Sequence, residues 1–470
     1  MLGFVEDDSR YDAFVEPVGL ADGSRPRNES DALEIKLMEC FHGEPEGEFA
    51  AAQSISDLQR RPNAALRLIF APIDVPKTSN WYGLCKLFEE LEVPSSFISE
   101  RVQSVCGSFG SRPMSDNRHC LWFHFLCKNV ELTPSGAVRN VNGYGPAGQL
   151  SQADWSWQKA GFFLKWQDTL LDSTPDYSVS GTSSSRFDQV TCCFWGATQA
   201  IANRFGDIIR TPSWTDVLQD PFVILDVILD ELYLLVDMQK TRLASAFGQI
   251  ETQTLLHAAN HESRPTEFDF AGLANIAKHN IHLGTDSTLE IAEAIHRYHC
   301  TYFSRYRDVK DNRLVHAVED ALEHKRVQFK CIHLQVLSRE KRIQNLTNLA
   351  FNLVSQQNNR TVMAESRNMK VIATISLVFL PFALVTALFS TPFFSNNPGS
   401  RVWVSKDIWI FWVIIIPLTI FGPWTFFYFT TRGGRTLLNR VGSVDAMTGW
   451  RSRIKSMSGP MSRDIEMTAS

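Results

Sequence analysis

Cysteine is scarce and unpatterned in this chain: nine in 470 residues, with one adjacent pair at Cys192 and Cys193 and no C-x-x-C spacing. That excludes a zinc ribbon and a disulfide framework, and it fits a reducing compartment. Short catalytic signatures are missing too, with no Gly-rich phosphate loop, no G-x-S-x-G and no H-E-x-x-H. The turn-rich NGYGPAG stretch at 142–148 is not followed by a helix pattern that would present an anion-binding N-terminus. The expectation is a protein that is not an enzyme and holds no organic cofactor. The first thirty residues lack the apolar segment of a secretory signal and the acid-poor composition of a transit peptide, since Glu6, Asp7 and Asp8 stand there. The N-terminal region is therefore expected to stay where it is made. A basic surplus is absent as well: the net charge is −5, and the part before the tail is acidic, so nucleic acid is not an expected partner.

Long apolar runs are absent before residue 370, and then two appear. Residues 371–389 carry no charge, and nineteen residues at about 1.5 Å each cross most of a hydrocarbon core of roughly 30 Å. Residues 408–431 are also uncharged, and Trp409, Trp412, Trp424 and Tyr428 include aromatics near the ends that suit an interfacial belt. Two spans are expected, one about 371–390 and the other about 408–431. Arg360, Arg367 and Lys370 precede the first; Arg432, Arg435, Arg440, Arg451, Arg453 and Lys455 follow the second; only Arg401 and Lys406 lie between. The positive-inside bias then predicts an integral, multi-pass protein with both termini in the cytoplasm; the plasma membrane is the expected location. The tail at 432–470, basic and Gly/Ser-containing, reads as disordered; it serves as the topological signal or touches anionic lipid.

The first span continues a long charged helical pattern. Val315, Leu322, Phe329, Val336, Ile343 and Ala350 recur every seven residues, with Val318, Ile332, Leu346 and Leu353 three further on. This is a coiled-coil-like heptad seam. Lys325 and Arg339 interrupt it, so one helix over 314–370 that packs several neighbours is the better reading than a two-stranded coil.

Upstream, residues 1–62 read as a poorly ordered extension with one amphipathic helix near 30–41. Residues 63–219 read as a cytoplasmic α/β or α+β domain: strands at 64–73, 119–130, 155–167 and 187–196, and helices at 82–91 and 95–106. From Asp220-Pro221, a cap followed by proline at the first helical position, the chain turns helical, with helices at 222–252 and 270–307 completing a stalk over 220–370.

Nine of the twelve histidines fall between His257 and His333, including the pairs His257/His261, His279/His282 and His296/His299, with Cys300 beside the last. Such pairs at i, i+3 or i, i+4 either share a transition metal or are ordinary solvated and packed histidines. Glu319, Asp320 and Glu323 are the carboxylates that would bridge subunits through a regulatory cation, or else form a solvated face. His119, Cys120, His124 and Cys127 alternate with aromatics and read as core.

Three stretches, DPFVILDVILDEL, LANIAKHNIHLGTDSTLEIAEAI and RIQNLTNLAFNLVSQQNNRTVMAESRNMKVIATISLVFLPFALVTALFSTPFF, resemble the fungal branch of the CorA/ZntB superfamily of divalent-cation channels and transporters. The resemblance runs from about 220 to 431 and more weakly back to residue 64. It implies a homopentamer in a lipid bilayer, with a cytoplasmic funnel, stalk helices that become the inner ring of a pore, and second spans as the outer ring. Divalent cations, Mg²⁺ or Zn²⁺, would be its cargo or regulators. It also implies that Met369, Ile372, Ser376, Leu380, Ala383 and Ala387 face the axis, a register that a one-position rotation would change. Magnesium-conducting members end the pore helix in Tyr-Gly-Met-Asn, where this chain has Phe389-Ser390-Thr391-Pro392. Proline removes both a side-chain acceptor and a backbone donor from a place where hard Mg²⁺ wants oxygen ligands. With Arg401, Lys406 and Asp407 the connecting loop is net +1, which repels divalent cations. A non-conducting, membrane-anchored relative is the alternative expectation.

Overall fold

The computed structural model describes residues 30–75, 80–102, 107–136 apart from 116, 138, 157–169, 186–259, 268–304, 312–390 and a set of helical residues between 409 and 428. They fall into two units, one ending at Leu353 and one beginning at Val354, each described separately below. Thr391, Pro392, the second span's ends and the basic tail lie outside the described residues.

The first unit is built on seven strands: β1 (Ala32–Cys40), β2 (Glu48–Ser54), β3 (Leu66–Ala71), β4 (Phe109–Pro113), β5 (Arg118–Lys128), β6 (Trp157–Asp168) and β7 (Phe187–Trp195). Their spatial order is β2-β1-β3-β7-β6-β5-β4. Only β3 and β7 pair in parallel; the other neighbours are antiparallel. Successive side chains on a strand point to opposite faces, so Cys192 and Cys193 enter two different cores and cannot act as a pair. One face, with Leu33, Ile35, Leu37, Trp122, Phe163 and Trp195, is covered by α1 (Ile55–Gln59), α2 (Trp81–Leu91) and α3 (Ser95–Val102). The other, with Leu68, Phe123, Phe162, Trp166 and Phe194, carries α4 (Gln199–Ile209), a 3-10 segment (Pro212–Leu218) and the helices that follow.

The sheet begins at Ala32 rather than at residue 63, so the expected helix near 30–41 and poor order over 30–62 are corrected, while residues 1–29 lie outside the described residues. Leu33, Ile35 and Leu37 are buried while Ala32, Glu34 and Lys36 are exposed, a period of two that overrides the helix propensity of Ala, Leu, Glu and Lys. Pairing on both sides, with β2 and β3, settles it. β2, α1, β4, α4 and the 3-10 segment had no expectation; β3, β5, β6, β7, α2 and α3 agree with the sequence reading to within a few residues.

After Asp220 come α5 (Phe222–Ala259), α6 (Phe270–Ile281), α7 (Thr285–Phe303) and α8 (Arg313–Phe389). The helix expected over 270–307 is two, because Gly284 takes a left-handed φ of 70° and its absent Cβ would meet the Leu126 carbonyl oxygen at 2.2 Å. The break lets α6 and α7 pack separately against β5 and α5.

α8 is continuous over 77 residues. Its seam is buried as the heptads require: Val315, Val318, Leu322, Phe329, Ile332, Val336, Ile343, Leu346 and Ala350 all lie inside, most of them in the same cluster as Leu232 and Val236 of α5 and Ile276 of α6. The two cationic interruptions find hydrogen-bond acceptors within the subunit. Lys325 Nζ donates to Asp230 Oδ1 of α5 at 2.5 Å, and buried Arg339 donates to Asn280 Oδ1 of α6 at 3.2 Å. They belong to packing inside one chain.

Gly284→Ala is expected to lower the thermal unfolding midpoint of the purified full chain by several degrees. Both a positive φ and a backbone clash oppose the new Cβ. An unchanged midpoint would contradict the break as described.

Candidate functional site

α7 has two working faces. Ile291, Ala292, Ile295, His299, Tyr302 and Phe303 are buried against the sheet and α5, at the 3-4 spacing of an amphipathic helix. The adjoining stripe, His296 and Cys300 at i and i+4, is half-buried and meets the second turn of α8.

There Cys300 Sγ lies 3.4 Å from Glu319 Oε1 and 3.6 Å from His296 Nε2. Their three ligand atoms all fall within 4.8 Å of one another, the one such cluster of metal-ligating side chains among the described residues. Burial and the Glu319 carboxylate beside it push the Cys300 thiol up to about 11. Glu323, one turn further along α8, stands 3.7 Å from His296 Nδ1 and is itself gripped by Arg326, whose Nε donates to Glu323 Oε2 at 2.6 Å. That guanidinium holds the Glu323 carboxyl below its ordinary range. His316 Nδ1 approaches the other Glu319 oxygen at 3.8 Å.

Of the sequence candidates, His296, Glu319 and Glu323 thus come together, with Cys300 as the donor that links them. Asp320 is exposed one position beyond Glu319 and takes no part. His299 is drawn away. It is fully buried, its Nε2 is 2.8 Å from Asp220 Oδ2, and Phe222 and Phe303 flank its ring. Asp220 also accepts the Phe222 N–H at 2.9 Å, so one carboxylate caps α5 and ties α7 to it. His299 is therefore a packing residue and not a partner of His296. The other histidine pairs do not converge either: His279 Nδ1 lies 2.8 Å from the Asn275 carbonyl and His282 sits edge-on to Trp157, while His261 is outside the described residues. His124 and Cys127 are core, as expected.

The second unit contains the remainder of α8 and the helical residues between 409 and 428. Among the described helices, α8 is the one long and apolar enough to cross a membrane by length and composition. Of the described residues from Val354 onward, only Val385 and Ile415 are buried. Met369, Ile372 and Leu380 are exposed by about two thirds, and Ser376, Ala383 and Ala387 are exposed. So are Ile375, Phe379 and Leu384, which means that a single chain does not distinguish one axial register from another. At the end of α8 the Ser390 hydroxyl donates to the Thr386 carbonyl at 2.9 Å.

Residues 219–432 match the family described as "CorA-like Mg2+ transporter protein". This part of the chain is a CorA-like domain. The CorA-like domain opens one residue before Asp220, the carboxylate that joins α5 to α7, and it takes in the whole of α8. Among curated proteins, "Notoamide biosynthesis cluster protein M'" of Aspergillus versicolor is 32% identical over 161 residues, covering 32% of this chain. The match spans 35% of that protein's length. Solved structures similar to the chain include the full-length CmaX protein, 14% identical, with a TM-score of 0.37 over 85% of this chain and 98% of that one. The CorA magnesium transporter from Methanocaldococcus jannaschii is 9% identical, with a TM-score of 0.38 over 83% and 96% of the two chains.

Asp220→Ala leaves a buried imidazole N–H and the Phe222 N–H without their acceptor, and is expected to cost about 2–4 kcal/mol. Denaturant unfolding of the full chain measures it. A cost below about 0.5 kcal/mol, the range of an unremarkable surface change, would contradict the double role.

Proposed function

We propose that the protein carries divalent metal cations, Mg²⁺ or Zn²⁺, across a membrane through a pentameric pore of its own copies. The observation that carries this reading is the change in α8: a packed seam up to Ala350, then a run of exposed Ile, Leu, Phe and Met that water alone would not tolerate. A bilayer and neighbouring copies would cover that surface. The CorA-like match over 219–432 supports this kind of function. In this reading residues 371–389 form the inner ring and 408–431 the outer one, both termini are cytoplasmic, and the membrane is the plasma membrane. Met369, Ile372, Ser376, Leu380, Ala383 and Ala387 line the axis, where the Met369, Ile372 and Leu380 rings gate by dewetting.

The filter is divergent. Ser390, Thr391 and Pro392 replace the Gly-Met-Asn of magnesium channels, and the Ser390 hydroxyl spends its proton on its own helix. Together with the net positive loop, this favours weak discrimination among divalent ions over magnesium selectivity. The same two observations support a second reading: a non-conducting pentamer, anchored in the membrane, with a regulatory or scaffolding role.

Proteoliposomes loaded with magnesium- and zinc-sensitive dyes separate the two. Metal-dependent influx of at least one ion is expected, and Leu380→Asp is expected to wet the axis and raise the leak. No influx of either ion from verified assemblies would exclude transport, and an unchanged leak in a conducting Leu380→Asp protein would exclude this register.

A further inference from the structure

We propose that His296, Cys300 and Glu319 bind a transition-metal ion of the Zn²⁺ class, joining α7 to the second turn of α8. The site stands whether or not the chain conducts.

The donor set is the first argument. An imidazole nitrogen, a thiolate and a carboxylate oxygen suit Zn²⁺ or Co²⁺, whereas Mg²⁺ asks for oxygens in octahedral array and keeps its water. Spacing is the second. Tetrahedral ligands with metal–sulfur bonds of about 2.3 Å and metal–nitrogen or metal–oxygen bonds near 2.1 Å stand about 3.6 Å apart. The observed separations from Cys300 Sγ are 3.6 Å to His296 Nε2 and 3.4 Å to Glu319 Oε1. His296 and Glu319 lie within the 4.8 Å that encloses all three ligand atoms, so adjustment of these side chains closes the set around an ion. Three protein ligands leave a fourth position for water.

The surroundings supply the third argument. A metal-bound histidine needs its other nitrogen held, usually by a carboxylate that fixes the tautomer. Glu323 is placed on the Nδ1 side of His296, 3.7 Å away, while Nε2 faces Cys300. Arg326 in turn fixes Glu323, and His316 approaches the Glu319 oxygen that Cys300 does not contact. On binding, the Cys300 sulfur exchanges its proton, released to solvent, for a bond to the metal, with no change of oxidation state. Two ligands come from α7 and one from α8, so the ion fixes the start of the long helix against its neighbour.

The test uses the tag-free full chain in detergent, reduced, titrated with Co²⁺. One Co²⁺ per chain is expected, with a thiolate-to-cobalt charge-transfer band that equimolar Zn²⁺ abolishes and a large excess of Mg²⁺ leaves in place. Cys300→Ser is expected to remove the band, and Cys331→Ser, at an exposed thiol on α8, to retain it. His296→Gln and Glu319→Gln weaken binding by at least about tenfold, and Glu323→Gln, which acts through His296, weakens it by about 10–100-fold. The metal-free melting temperatures of the Glu319 and Glu323 variants should match the parent, and these two carry the test should Cys300→Ser unfold. No band in the parent chain, a band surviving in Cys300→Ser, or affinity indifferent to His296, Glu319 and Glu323 would overturn the site.

Discussion

The burial of one stripe of α8 against α5 and α6 is the constraint on which the rest of the first unit depends. A helix of 77 residues has no reason to hold a fixed course from its own hydrogen bonds, and most helical stability comes from packing an apolar face. Here the face is supplied every seven residues from Val315 to Ala350. Each fully buried Leu, Ile, Val or Phe contributes about 1.5–3 kcal/mol, so the seam outweighs what two charged interruptions cost once Asp230 and Asn280 meet them. Beyond Leu353 the heptad beat gives way to amide, small and finally uncharged apolar residues, and among the described residues burial falls to Val385 and Ile415.

That same packing places the cluster of His296, Cys300 and Glu319. α7 can bring His296 and Cys300 to Glu319 only because its other face is fastened, by His299 to Asp220 and by Tyr302, whose hydroxyl donates to Asp168 Oδ2 at 2.9 Å. Three positions separate His296 from His299, which on this helix is the difference between a half-buried donor and a sealed one. The residues that face α8 are thus free to take on chemistry because the residues behind them carry the structure.

Much of this was legible in the sequence, and the failures have physical causes. The heptads, the cap at Asp220-Pro221 and the aromatic strands are local patterns, and the structure agrees with them. Strand β1 was not legible because its residues favour a helix in isolation, and its strand character is set by pairing with Glu48 to Ser54 in a hairpin on one side and with the more distant Leu66 to Phe70 on the other. The break at Gly284 was hidden by the apolar spacing on both sides of it. For the site, His296, Glu319 and Glu323 could be named from helix spacing, but the grouping could not: it needed the contact between α7 and α8, and with it Cys300 replaced His299 as the linking donor. The signal that was available, a cysteine four residues after a histidine, pointed to the right helix face without indicating what lay opposite.

A common axis shared by copies of α8 is the central claim, because the exposed apolar run, the proposed ring residues and the divergent filter have a joint meaning only around such an axis. Native mass spectrometry of the full chain released from detergent micelles tests it most directly. Assemblies of five 53.2 kDa chains are the expected result; monomers or dimers as the largest species, under conditions that keep the helical content intact, would contradict it.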